Sequence, residues 1–94
     1  MALKTTALDI AELLEDEDDI RAFLAETVRE GTPEDFLRAL AIAARAQGMT
    51  DIARQVGVSR ASLYKSLSAG GNPEFFTIAK VMHALGLKLT VAPA

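Results

Sequence analysis

Between Ser59 and Lys65 the chain sets Arg60, Ala61, Ser62 and Tyr64 among short polar residues, with no acid in the run. These groups have a shared use. Arginine pairs bidentately with guanine O6 and N7, alanine meets a thymine methyl, and hydroxyls, lysine and a helix N-terminus take phosphate. On an arbitrary helical hairpin the same residues would simply be solvated.

Their spacing narrows the choice. In "GMTDIARQVGVSRASLYKSL", Gly48 to Leu67, a small residue (Ala53) is followed four places later by Gly57, and six beyond that by Leu63. This is the helix-turn-helix pattern, in which a second helix lies in the DNA major groove. Thr50 is expected to cap a short helix running to Val56, Gly57 to supply a positive-φ turn, and Ser59 to cap a second helix from Arg60 to about Leu67. Ile52, Ala53, Val56, Val58, Leu63 and Leu67 then face inward. Arg60, Ala61, Tyr64 and Lys65 are left on the outer face, with Ser59, Ser62 and Ser68 nearby.

A second constellation is acidic: six of the eight residues from Glu12 to Asp19 are Glu12, Glu15, Asp16, Glu17, Asp18 and Asp19. A calcium loop is not expected, because the run lacks a turn glycine and alternating ligand spacing. Paired carboxylates can do acid/base work, but no second catalytic group or glycine-rich phosphate loop accompanies them, so an enzyme is not expected. The ordinary reading is a solvated, helix-starting surface. The sharper one is a surface that binds a basic protein, with Phe23 included in it.

The elements that must carry these groups are helical. Half of the 94 residues are apolar, Leu and Ala dominate, and β-branched residues are sparse. Asp9, with Glu12 three places on, is expected to cap one or two turns. A second helix follows through "DDIRAFLAETVREG", with Ile20, Phe23, Leu24, Thr27 and Val28 on one face and Gly31 as its stop. The third, "TPEDFLRALAIAARAQG", has Thr32 as cap, Pro33 at the first helical position and Gly48 as terminator. Its Phe36, Leu37, Leu40, Ala41 and Ala44 form an apolar stripe. After the helix pair, Asn72 and Pro73 are expected to open a last helix ended by Gly86, with Phe75, Ile78, Ala79, Met82 and Leu85 on one face. Phe76 lies off that stripe: either an incidental exposed aromatic, one covered by the preceding loop, or a dimer contact. In the tail, Leu87, Leu89 and Val91 alternate with polar or small residues through 87–92, the pattern of a short strand. Such a strand is expected to pair across a two-fold axis or with a partner's sheet edge; a disordered tail is the alternative.

Composition bounds the remaining classes. There is no cysteine, which excludes disulfides, thiolate metal sites and cysteine nucleophiles. His83 is the single histidine and lacks partner ligands, so no metal and no cofactor is expected. No apolar run reaches membrane-span length, and a soluble, cytoplasmic, nucleoid-associated protein is expected. The net charge of −3 conceals a division: residues 1–47 carry −6 and residues 48–94 carry +3. One half repels a phosphate backbone and the other attracts it.

From Gly48 to Ala94, with the "ALKTT" start and the acidic segment before it, the chain resembles the family of probable addiction-module antidote proteins over nearly its whole length. The resemblance implies an all-α, Cro/repressor-like helix-turn-helix antitoxin, acting beside a small basic toxin of the RelE/ParE/HigB ribonuclease-like group. It implies that Thr50, Ser59, Arg60, Ser62, Tyr64 and Lys65 face DNA, and that "GNP" at Gly71, Asn72 and Pro73 starts the next helix. One departure from the general repressor pattern is Ser66, which stands where a large apolar residue is usual, with Leu67 one place later.

The expected organisation is a single domain, 1–94: an acidic toxin-binding segment over 1–31, then a DNA-binding core over 32–94. A homodimer that represses its own operon follows, with Phe76, Leu87, Leu89 and Val91 as candidate dimer contacts. Two other readings stay open: a stand-alone phage-like repressor with a solubilising acidic arm, and a protein-interaction module whose helix pair no longer touches DNA.

Overall fold

The computed structural model describes residues 7–68 and 72–94. Lys4 and Gly71, part of the motifs above, lie outside them. Six helices run through the described residues: α1 (Ala7–Leu13), α2 (Glu17–Glu30), α3 (Pro33–Gln47), α4 (Met49–Val56), α5 (Arg60–Leu67) and α6 (Phe75–Ala84).

Helix α3 is the spine, because α1, α2, α4 and α5 all pack on it, while α6 packs on α4. Its start is doubly fixed. The Thr32 hydroxyl accepts from the Asp35 N–H at 3.2 Å, the Asp35 carboxylate accepts from the Thr32 N–H at 3.0 Å, and Pro33 occupies the first turn. The buried set includes Leu40, Ile52, Leu63, Leu67 and Val81, joined by Ile20 and Leu24 from α2. The alanines Ala39, Ala43, Ala44 and Ala53 are buried too, and their small side chains let the helices approach closely. The N-terminal acidic segment is thus built on a helix that contributes to the common core. Where α2 passes to α3, a Cβ on Gly31 would meet the Thr27 carbonyl oxygen at 2.8 Å and the Asp35 Cβ at 2.9 Å, so only glycine fits.

Gly48 alone joins α3 to α4, with φ 121°. Its N–H donates to the Ala44 carbonyl at 2.9 Å, closing α3, and its own carbonyl accepts from Ile52 at 3.0 Å, opening α4. Because glycine can turn so sharply, α4 starts at Met49, whose side chain is buried. Thr50 therefore lies inside the first turn and is not its cap, contrary to the sequence expectation. Asp9 likewise falls within α1 and not before it.

The C-terminal part differs from expectation in two ways. Helix α6 begins at Phe75, with Glu74 as its N-cap residue, so Asn72 and Pro73 precede the helix and do not open it. The expected strand over 87–92 does not form; among the described residues the fold is all-helical with no strand. An isolated strand has no edge to bond to, and alternation in sequence cannot supply one. Leu87 packs against the core and its N–H donates to the Met82 carbonyl at 2.9 Å, part of the α6 stop at Gly86 (φ 78°). Leu89 is exposed, and Val91 is 97% exposed.

Three apolar positions also face outward against expectation: Val28, Val58 and Phe75. Each sits at or near an element end or turn, where the helical stripe no longer faces α3 or α4. Val81, absent from the expected stripe, is fully buried in its place.

Candidate functional site

Helices α4 and α5 are linked by three residues, Gly57, Val58 and Ser59. The Ala53 carbonyl accepts from the N–H groups of both Gly57 (2.9 Å) and Val58 (3.1 Å). Gly57 adopts the left-handed conformation, φ 87° and ψ 27°, the turn device expected there. Ile52, Ala53, Val56, Leu63 and Leu67 are buried as expected, and these apolar groups fix the α5 orientation. Ser66 is half-buried, and Leu67 beside it supplies the large apolar group.

The Ser59 hydroxyl caps α5, accepting from the Ser62 N–H at 3.0 Å and donating to the Ser62 hydroxyl at 2.9 Å. It is engaged in holding the helix start, which leaves the Ser62 hydroxyl the freer of the two. Arg60, Ala61, Ser62 and Lys65 are exposed, and Thr50 is exposed on α4. Tyr64 is half-buried against the core, with one guanidinium near its ring from α5, Arg60, and one from α3, Arg45. Hydrogen bonding from Arg60, then the positive charges of Arg45 and Arg60, hold the Tyr64 phenol below its usual pKa. Arg45 is the residue that sequence reading missed: it is remote in sequence, and only the packing of α5 on α3 brings it here.

The ion pairs sort the charges. Arg21, Arg29, Arg38 and Arg54 each pair with an acid three residues earlier, namely Asp18, Glu26, Asp35 (2.7 Å) and Asp51 (3.1 Å). Among the described residues, Arg45, Arg60 and Lys65 have no such partner. The uncommitted positive charge on α3 and α5 is gathered at and beside Tyr64.

The acidic corner is partly structural. The Asp16 carboxylate caps α2 by accepting from the Asp19 N–H at 2.8 Å, and the Asp19 carboxylate accepts from the Glu15 N–H at 2.9 Å. With Asp18 paired to Arg21, the exposed carboxylates of Glu12, Glu15 and Glu17 remain free of such partners among the described residues. Leu13, next to Glu12 in sequence, is 72% exposed, and Phe23 on α2 is half-buried against the core. On α6, Phe75 and Phe76 are both exposed, with ring centroids 5.9 Å apart in an edge-to-face arrangement. His83 is exposed, and no group of metal-ligating side chains occurs among the described residues. None of their helices is long and apolar enough to cross a membrane.

Residues 4–93 match the family described as probable addiction module antidote protein. The chain belongs to that antidote family. A Haemophilus influenzae protein described as uncharacterized is 48% identical to this antidote-family chain over 83 residues, covering 88% of this chain and 86% of the relative. No solved structure matches it. An antidote implies a toxin, so family membership implies a toxin partner for this chain.

Proposed function

We propose that this antidote-family chain is a type II antitoxin that neutralises a small basic, ribonuclease-like toxin and, as a homodimer, binds operator DNA to repress its own operon. It is a binding protein in this account, not an enzyme, and acts in the cytoplasm at the nucleoid. The observation that carries the DNA half is α5. A capped helix follows a three-residue turn and presents Arg60, Ala61, Ser62 and Lys65 to solvent, with no acid on it. Arg60 and Ala61 are suited to base edges and Lys65 to phosphate. Two copies placed one DNA turn apart would read a palindrome, and the exposed Phe75–Phe76 pair on α6 is the candidate self-contact.

The toxin half is supported by family membership and by the α1–α2 corner, where the exposed Leu13 lies in a run with the exposed acids Glu12, Glu15 and Glu17. An exposed apolar anchor with an acidic rim suits a basic partner: the charges steer encounter and the anchor slows release.

The test of the DNA half is fluorescence anisotropy with a duplex from the promoter of this gene and an unrelated duplex of equal length. Binding to the promoter at least a thousandfold tighter than to the unrelated duplex is expected of an operator. Equal affinity for the two would refute operator recognition.

A further inference from the structure

Arg45 belongs to α3, outside the helix pair, yet its guanidinium carbon is 5.5 Å from the centroid of the Tyr64 ring, against 5.6 Å for Arg60. One phenol is thus shared by two guanidinium groups from different helices. Beside it opens a cleft of about 240 Å³ with an apolar floor including Ala41, Ile42 and Met49, and with Arg38, Arg45 and Ser68 among its polar lining. Arg38 is tied to Asp35 at 2.7 Å, whereas Arg45 is exposed and meets no carboxylate among the described residues.

A guanidinium beside an aromatic ring is attracted to it and carries five N–H donors, more than the ring and its phenol oxygen take up. The donors that remain match the paired oxygens of a phosphate. We propose that Arg45 is a phosphate-backbone contact that carries the DNA-binding surface from α5 onto α3, with Tyr64 as the ring on which it is braced. This rests on the DNA-binding function proposed above. Arg45 then adds affinity for any duplex, while base choice stays with α5.

Salt dependence separates this role from a purely structural strap between α3 and α5. Arg45→Gln and Arg45→Lys are compared with the unaltered chain, as full-length proteins, on the promoter duplex and the unrelated duplex across a salt series. Loss of one phosphate contact lowers the slope of log K against log salt by about 0.9, and at 0.15 M salt this corresponds to about fivefold weaker binding. Arg45→Gln should show that loss equally on both duplexes, and Arg45→Lys should recover most of the slope. Circular dichroism checks that each variant is folded. An unchanged slope in folded Arg45→Gln, or a loss confined to the promoter duplex, overturns the proposal. If the unaltered chain binds both duplexes alike and Arg45→Gln weakens both, the Arg45 contact stands and operator recognition fails. If the unaltered chain binds neither, both fall.

Discussion

Arg60 and Tyr64 stand one turn apart on α5, and the Arg60 guanidinium carbon lies 5.6 Å from the centre of the Tyr64 ring. The contact holds a potential base-reading side chain against the helix that presents it. It also lowers the Tyr64 pKa, because hydrogen bonding from Arg60 favours the phenolate.

Arg60→Ala therefore has two expected effects. Ultraviolet titration should show the single tyrosine ionising at higher pH than in the unaltered chain. Binding to the promoter duplex should weaken by about 1–3 kcal/mol, with relaxed preference at one base pair. A tyrosine titration that does not move upward contradicts the described contact, whatever happens to DNA binding.

Gly57→Ala tests the turn. At φ 87° a Cβ meets no atom within 4 Å, so the cost is backbone strain and not a clash. Urea unfolding should show a loss of about 1–2 kcal/mol, and Gly57→Asn should lose less, since asparagine tolerates this conformation better. A loss no greater for Ala than for Asn would place the turn elsewhere.

Much of this architecture was legible in the chain because it is written locally. Thr32, Pro33, Gly31, Gly48, Gly57, Ser59 and Gly86 act on neighbours within one turn, and the ends of α2, α3 and α5 follow from them. What failed depends on distant partners. The alternation from Leu87 to Val91 reads as a strand only if an edge is available, and Phe75, the first residue of α6, reads as core only if a neighbouring element covers that end, where it is in fact exposed. Val81 is buried because of where α6 meets α4. For the candidate site, the exposure of Arg60, Ala61 and Lys65 on α5 was readable from spacing, whereas the half-burial of Tyr64, expected on the same outer face, and the place of Arg45 beside it are consequences of tertiary packing.

Leu24→Ala asks whether α2 belongs to the cooperative fold. Leu24 is buried in the common core, so truncation should cost about 2–5 kcal/mol and lower Tm by roughly 10 °C or more, in a single transition. Separate melting of the N-terminal segment, with the rest unaffected, would show it to be independent. This burial also makes point variants a cleaner probe of the acidic surface than removal of residues 1–31.

The α3 cap predicts a pH dependence. Hydrogen bonds from the Thr32 backbone and Arg38 hold the Asp35 carboxyl below the ordinary aspartate range. Its folded pKa is depressed, so its stabilisation is present above the unfolded aspartate pKa and is lost as pH falls through the lower folded value. Thermal melts between pH 2 and 6 should show Asp35→Asn reducing Tm toward pH 6 and making little difference at the acid end. An equal effect at both ends would remove Asp35 from the cap.

The central claim is that a free acidic corner serves a toxin while α5 serves DNA, and growth of cells expressing the small reading frame beside this gene tests it most directly. Arrest is expected, relieved by co-expression of the unaltered chain or of Arg60→Ala. Relief should be reduced with the triple variant Glu12→Lys, Glu15→Lys, Glu17→Lys, whose association with the basic toxin should slow on the order of tenfold. A neighbour that leaves growth unchanged, or full relief by the folded triple variant, would contradict the account.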